Sequence, residues 1–152
     1  MPAGDPDLAL PPSVPSAAGV LPEDSLVVLV DDDHAILHGM AELFDNWNVD
    51  LVAAPNAEDV LHWLAGLARV PDVIVSDYRL PGDNDGLEMI AQLRRHFGCD
   101  IPAIVITGDT APETIQRISQ AGFPVLNKPL HPAKLRALLT HLVQQNRTLA
   151  VG

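Results

Sequence analysis

Short apolar runs alternate with amphipathic stretches from residue 26 to near the end of the chain. Five runs are too short for helices, are mostly rich in Val and Ile, and are typical of buried strands. They are "LVVLV" (26–30), "VDLVAA" (49–54), "DVIVS" (72–76), "AIVIT" (103–107) and "FPVLN" (123–127). The pattern predicts a strand at each run and a helix after it.

The stretches that follow the strands carry hydrophobic residues at helical spacing. The first, second, third and fifth stripes are Ile36, Met40, Leu43, Phe44 and Trp47; Val60, Leu61, Leu64 and Ala68; Leu87, Ile90, Ala91 and Phe97; and Leu135, Leu138, Leu139, Leu142 and Val143. The fourth stretch, 111–121, has only Ile115 and Ile118. We therefore expect the fourth helix to be the most exposed and the most mobile.

Helix start signals agree with this division. Asn56 precedes "AED", and "TAPE" (110–113) has the form of a capping box, with Thr110 as N-cap and Glu113 at the third helical position. Five consecutive βα units imply a parallel sheet with helices on both faces. The predicted fold class is therefore α/β, with a doubly wound, five-stranded parallel sheet.

The first 25 residues differ from the rest of the chain. They contain Pro2, Pro6, Pro11, Pro12, Pro15 and Pro22 and show no sustained hydrophobic period. We predict a flexible proline-rich linker or tail over 1–25, one domain over 26–146 and a short tail over 147–152. An N-terminal arm packed on the domain is the alternative for the first segment.

The chain is strongly acidic. Lys and Arg number 9 against 20 Asp and Glu, for a net charge of −11, which argues against binding to nucleic acid or an anionic membrane and favours a cation or a basic partner. The single cysteine, Cys99, excludes an internal disulfide and suits a reducing compartment. With neither a secretory signal nor an apolar run of membrane-spanning length in the sequence, we expect a cytoplasmic location.

Polar residues follow four of the predicted strands. Asp31 and Asp32 end the first strand, Asp77 the third, Thr107 the fourth, and Lys128 the fifth. Ligands of such sheets bind outside the carboxyl ends of the strands, and neighbouring strands lie about 4.8 Å apart. Each of these residues alone is typical of a cap, a turn or the surface. Together, at the carboxyl ends of neighbouring strands, they predict a ligand-binding site.

The charges indicate what this site binds. Three carboxylates within about 5 Å repel one another by roughly 3 kcal/mol per pair at an effective dielectric constant of 20. Either their pKa values rise or a cation neutralises them. Hard oxygen ligands in a small site favour Mg²⁺, which binds through one or two carboxylates together with phosphate oxygens.

Four blocks of the sequence, taken together, resemble a known family. "VLVDDD", "VSDYRLPGDNDGLEMI", "IVITG" and "LNKPL" are similar to the signature blocks of the response-regulator receiver (CheY-like) domain of two-component signalling. The resemblance covers about residues 26–145. It implies a flavodoxin-like (βα)₅ fold with strand order 2-1-3-4-5.

The resemblance also implies roles at the strand tips. Asp77 would accept a phosphoryl group from a phosphohistidine, so the implied partner is a histidine kinase or a histidine phosphotransfer domain. Asp32, Asp77 and the backbone carbonyl of Arg79 would bind Mg²⁺ directly, and Asp31 would act mainly through a bound water. Such a domain promotes its own aspartyl phosphorylation and dephosphorylation.

Three further residues of the site are assigned from the same resemblance. Thr107 and Lys128 would contact the phosphoryl oxygens, and the Lys128–Pro129 bond would be cis so that the lysine turns into the site. Asp33 has no implied ligand role and is interpreted as a residue at the N-terminus of the first helix, where the helix dipole favours a carboxylate.

The sequence departs from the family pattern in ways that affect regulation. The loop "LPGDNDG" is one residue longer than usual. Val125 stands where the family usually has Tyr or Phe, so the conventional aromatic switch is not expected. We predict that Arg79 and Asp109 meet at the rim of the site as an ion pair and lengthen the phosphoryl lifetime; two solvated side chains that never meet are the alternative.

The context of the domain has two interpretations. "DYRLPG", "HPAKLRALL" and the proline-rich lead-in resemble receiver modules at the C-terminal end of hybrid sensor histidine kinases. The alternative is a free-standing single-domain response regulator. In the first case the only tie to a membrane would be through the parent kinase.

Other classes of protein fit the residues less well. A haloacid-dehalogenase-like, Mg²⁺-dependent aspartyl phosphatase would need an Asp as general acid two residues after the nucleophile, where this chain has Arg79. A nucleotide-binding module would need a G-x-G-x-x-G or GK[ST] loop, and the sequence has neither. The six histidines are scattered, and His34 beside the acidic cluster is expected to be a solvated residue of a first helical turn.

Overall fold

A computed structural model describes residues 21–22, 24–67, 69–80 and 85–151, with side chains as far as residue 146. The elements, in chain order, are β1 (Leu26–Val30), α1 (His34–Asn46), β2 (Asp50–Ala54), α2 (Ala57–Leu67), β3 (Val73–Asp77), α3 (Gly86–Phe97), β4 (Ala103–Thr107), α4 (Pro112–Gln120), β5 (Val125–Asn127) and α5 (Pro132–Val151). Strands and helices alternate throughout, as the hydrophobic pattern predicted.

The five strands form one parallel sheet in the order β2-β1-β3-β4-β5. On β1, Val28 lies between Val52 of β2 and Ile74 of β3. The order reverses at β1, so the carboxyl ends of β1 and β3 flank the position where ligands of doubly wound sheets bind. The predicted fold class and strand order are confirmed.

Two apolar clusters cover the two faces of the sheet. The cluster on one face joins β-strand residues such as Val28 and Val30 to helices α2, α3 and α4. The cluster on the other face joins Val27 and Leu29 to helices α1 and α5. Alternate residues of β1 therefore belong to opposite clusters, which is why a strand buried on both faces is apolar along its whole length.

The predicted helical stripes account for most of the helix residues in these clusters. Helix α4 contributes only one buried residue, Ile118, in agreement with the expectation that the fourth helix is the most exposed. Ala68, the last residue of the predicted second stripe, lies outside the described residues.

One of the two predicted helix starts is confirmed and the other is wrong. Asn56 Oδ1 accepts a hydrogen bond from the Asp59 amide at 2.8 Å. Helix α4, in contrast, has Ala111 at its N-cap, no side-chain cap on its first turn and Pro112 at the start. Thr110 is therefore not the N-cap, because the helix begins one residue later and Asp109 Oδ1 instead accepts from the Ala111 amide at 2.8 Å.

The described structure extends past both predicted boundaries of the domain. Leu21, within the predicted tail, is only 6% exposed and belongs to the cluster beneath α1 and α5. Helix α5 continues beyond residue 146, as far as Val151. Residues 1–20 lie outside the described residues.

The described helices include none that combines the length and the apolar character required to cross a lipid bilayer.

Candidate functional site

Three carboxylates converge at the carboxyl ends of β1 and β3. Asp31 follows β1 and is fully buried, Asp32 beside it is exposed, and Asp77 is the buried last residue of β3. One carboxylate oxygen from each lies within 4.8 Å of the others. Neighbouring parallel strands thus bring together side chains that are 45 or more positions apart in the sequence.

Lys128 enters this cluster from the loop after β5. The Lys128–Pro129 bond is cis, as predicted. The Lys128 ammonium donates a hydrogen bond to Asp77 Oδ2 at 3.1 Å and lies 3.5 Å from Asp31 Oδ2. The site therefore contains one cation that touches two of its three carboxylates.

Burial and hydrogen bonding shift the pKa values of Asp31 and Lys128 in opposite directions. Burial raises the pKa of Asp31 above its ordinary value, although the Asp33 amide, donating to Asp31 Oδ1 at 2.9 Å, lowers it in part. Burial also opposes the charged form of Lys128, but its hydrogen bond to Asp77 and the charge of Asp31 outweigh this and raise the pKa of Lys128. The carboxylates around Lys128 thus stabilise its positive charge, whereas burial disfavours the negative charge of Asp31.

The donor set fits a hard divalent cation. Asp31 Oδ2 is buried and accepts no hydrogen bond from the described residues. Its contact with the Lys128 ammonium, at 3.5 Å, is long, and a buried carboxylate oxygen with so little compensation is costly unless a further cation approaches it. Asp31, Asp32 and Asp77 would supply the carboxylate oxygens. Among divalent cations, Mg²⁺ favours hard oxygen ligands of this kind.

Thr107 and Val125 lie on the neighbouring strands. Thr107 is the last residue of β4 and is almost fully buried, and its Oγ1 accepts from the Asp109 amide at 2.9 Å. Val125 opens β5 opposite Val105, is half-buried, and packs against the core on the side of α4. A valine at this position carries no aromatic ring that could swing towards Thr107.

The Arg79–Asp109 ion pair is present. Arg79 Nη2 lies 2.7 Å from Asp109 Oδ2, and the Arg79 side chain is 73% exposed. Asp109 also accepts from the Ala111 amide and from Thr114 Oγ1, so the amide, Arg79 and Thr114 together lower the pKa of the Asp109 carboxyl. The alternative of two side chains that do not meet is excluded in this structure.

The loop after β3 returns closely to the site. The Gly86 amide donates to the Tyr78 carbonyl at 2.8 Å, and Asp85 caps α3 by accepting from the Glu88 amide at 3.0 Å. A Cβ on Gly86 would overlap the Asp77 carbonyl oxygen, so the backbone here approaches more closely than any side chain would allow. Residues 81–84, most of the predicted long loop, lie outside the described residues.

The remaining acidic and basic neighbours have structural roles. Asp33 is the N-cap of α1 and accepts from the Ala35 amide at 2.9 Å, and His34 is an exposed residue of the first turn. Among the contacts near the site that sequence reasoning missed is an ion pair: Arg117 of α4 pairs with Asp85 at 3.1 Å. No motif signals this pair, because its partners belong to different elements 32 positions apart.

Comparison with known families agrees with the geometry of the strand tips. Residues 27–140 match the response regulator receiver domain. The chain belongs to this family. Receiver domains of two-component signalling interact with histidine kinases or phosphotransfer proteins.

Individual relatives come from several kinds of signalling protein. The chain is 37% identical over 116 residues to the transcriptional regulatory protein KdpE of Staphylococcus aureus, covering 74% of this chain and 47% of KdpE. It is 34% identical over 131 residues to the sensory/regulatory protein RpfC of Xanthomonas campestris pv. campestris, covering 83% of this chain and 18% of RpfC. The chain thus spans less than half the length of either relative.

Solved structures share the fold. The chemotaxis protein CheY4 of Vibrio cholerae matches with a TM-score of 0.66 and 24% identity, covering 78% of this chain and 98% of CheY4. A signal receiver domain from Pseudomonas fluorescens matches with a TM-score of 0.70 and 24% identity, covering 82% of this chain and 98% of that domain.

Proposed function

We propose that this receiver domain takes a phosphoryl group from a phosphohistidine onto Asp77. The observation that carries the proposal is the placement of Asp77 at a strand tip, with Asp31 and Asp32 within 4.8 Å and the Lys128 ammonium 3.1 Å away. A carboxylate in this environment is a nucleophile beside groups that can neutralise the charge of a transferring phosphoryl group.

The chain's own residues have separate roles in this transfer. An Asp77 carboxylate oxygen attacks phosphorus in line with the phosphorus–nitrogen bond of the donor; that bond breaks, and its electron pair stays on the donor imidazole. Lys128 and Thr107 contact the phosphoryl oxygens. Mg²⁺, held by Asp32, Asp77 and the Arg79 carbonyl and by Asp31 through water, would neutralise charge on the phosphoryl oxygens when bound.

Phosphorylation by a small donor tests this proposal. The chain is incubated with phosphoramidate or acetyl phosphate and Mg²⁺, and the intact mass is measured. We expect one acid-stable, base-labile phosphoryl group on Asp77 and none in Asp77→Asn. A folded chain that acquires no adduct at Asp77 with Mg²⁺ present would refute the proposal.

A turnover assay separates a receiver from a phosphatase. A Mg²⁺-dependent aspartyl phosphatase would turn over p-nitrophenyl phosphate repeatedly, using a general acid at position 79. This chain has Arg79 there, paired with Asp109. We therefore expect a phosphorylated form that accumulates and no sustained release of p-nitrophenol.

We further propose that the domain serves as the receiver module of a hybrid sensor histidine kinase, with a free-standing response regulator as the alternative. The supporting observations are the similarity to RpfC and the valine at the position of the aromatic switch. A relay module should pass its phosphoryl group to a histidine. Mixing the phosphorylated chain with a histidine phosphotransfer domain should therefore produce an acid-labile phosphohistidine, and its absence across a panel of such domains would favour the free-standing form.

A further inference from the structure

Asp85 holds two helices with its two carboxylate oxygens. Oδ1 accepts from the Glu88 amide at 3.0 Å and caps α3. Oδ2 lies 3.1 Å from Arg117 Nη2, in the last turn of α4. The position of α4 is thus tied by a charged contact to the start of α3.

The backbone on the other side of Asp85 leads to the candidate metal site. Arg79 and Asp85 form an antiparallel β-bridge, and the adjacent Gly86 amide donates to the Tyr78 carbonyl at 2.8 Å. Gly86 also lies against the Asp77 carbonyl. A displacement of Asp85 would therefore move the peptide units around Arg79, whose carbonyl is the backbone ligand in the proposed function.

Helix α4 has few other attachments. Ile118 is its one buried residue, and its first turn has no side-chain cap. The other polar link between α4 and the site is the hydrogen bond that Thr114 donates to Asp109. Asp109 in turn pairs with the Arg79 side chain and not with its backbone. The Arg117–Asp85 pair is accordingly the described contact that joins α4 to the metal-binding backbone.

We propose that Arg117 and Asp85 are positioning residues for the phosphoryl-acceptor site, which hold the Arg79 carbonyl for Mg²⁺ and so couple the position of α4 to cation binding. The inference rests on the proposed function, because that function makes the Arg79 carbonyl a ligand. Coupling of this kind is reciprocal: if the placement of α4 strengthens cation binding, cation binding stabilises that placement of α4 equally.

Two conservative variants test the pair in the full chain. Asp85→Asn keeps a good N-cap for α3 and removes the charge, and Arg117→Gln removes the cation from α4. Mg²⁺ affinity is measured by titration calorimetry without a phosphoryl donor. Because the pair is partly exposed, we expect each variant to bind Mg²⁺ about two- to fivefold more weakly.

Three further measurements distinguish positioning from a general structural effect. The double variant should bind Mg²⁺ no more weakly than either single variant, because each removes the same interaction. Arg117→Lys should retain most of the affinity. Exchange of the Gly86 amide in the metal-free protein should be faster in both single variants, whereas the control Arg95→Gln, an exposed residue of α3, should match wild type in both assays.

The outcomes separate this inference from the proposed function. Wild-type Mg²⁺ affinity in both single variants, or losses that multiply in the double variant, would overturn the inference even if Asp77 is phosphorylated normally. Weaker Mg²⁺ binding in a protein whose Asp77 accepts no phosphoryl group would support the coupling and refute the function. A wild-type chain that binds no Mg²⁺ would refute both.

Discussion

Gly86 shows how a single residue shapes the site. Its backbone lies against the Asp77 carbonyl, and an added Cβ would also approach Ser76 Oγ at 3.1 Å. Because backbone atoms cannot yield as a flexible side chain can, Gly86→Ala should destabilise the fold by about 1–3 kcal/mol. Urea unfolding would measure the difference.

Gly39 provides the matched control for that substitution. It is an exposed residue inside α1, and a Cβ there would meet nothing within 4 Å. Gly39→Ala should therefore stabilise the protein by about 0.5–1 kcal/mol, through the smaller conformational entropy of the unfolded chain and the better helix propensity of alanine. Equal effects of the two substitutions would contradict the close approach at Gly86.

The two adjacent aspartates after β1 should differ as metal ligands. Asp31 is fully buried, with one oxygen bonded to the Asp33 amide and the other near Lys128, whereas Asp32 is exposed and free to bind a cation directly. We expect Asp32→Ala to weaken Mg²⁺ binding more than Asp31→Ala does. Calorimetric titration of both variants would show it, and equal losses would mean that the direct ligand is wrongly assigned.

The Arg79–Asp109 pair lies at the rim of the site, and the pair is predicted to lengthen the phosphoryl lifetime. An arginine held across the mouth would hinder an in-line water, and on phosphorylation it could exchange Asp109 for the phosphoryl group in a charge-assisted contact. We expect dephosphorylation to be faster in Arg79→Ala/Asp109→Ala than in wild type. Identical rates in wild type, both single variants and the double variant, with Mg²⁺ in excess, would rule the effect out.

At the scale of elements, α4 is the helix most weakly attached to the sheet. A helix held by one buried side chain and a few polar contacts can change its position at low cost, and Val125 cannot act as an aromatic switch. The response to phosphorylation should therefore come from Thr107 closing on the phosphoryl group and from α4.

Hydrogen exchange with and without a phosphoryl analogue such as beryllofluoride tests this response. Exchange should change across residues 107–121 more than across α1 or α5, whose apolar stripes are buried against the sheet. An unchanged exchange rate across 107–121 in analogue-bound protein would count against a response through α4.

At the scale of the whole molecule, cation binding should stabilise the fold. The chain has a net charge of −11, and the site adds three neighbouring carboxylates. A ligand that binds only the folded state contributes about 2.7 kcal/mol at a concentration of 100 Kd. The free energy of unfolding should rise with Mg²⁺ in wild type and much less in Asp32→Ala, while NaCl at matched ionic strength should not reproduce the difference.

The alternation of apolar runs and amphipathic stretches by itself determined the α/β architecture. A strand covered by helices on both faces must be apolar along its length, and each covering helix must carry an apolar stripe. Both patterns can therefore be recognised within short segments of the sequence. The residues at the strand tips were predictable for the same reason, since parallel strands end at one edge. Strand order and the proposed role of Asp77 needed the family resemblance as well.

Only the tertiary structure decided the contacts between elements. It placed the N-cap of α4 at Ala111 rather than Thr110, bonded Asp109 to the Ala111 amide, placed Leu21 in the core, and joined Arg117 to Asp85. Spacing along the chain carries no information about such pairs, because their partners come together only after the sheet has fixed the relative positions of its loops and helices. In the sequence, Arg117 could pair with any of several acidic residues. The packing of α4 beside the start of α3 places it next to Asp85.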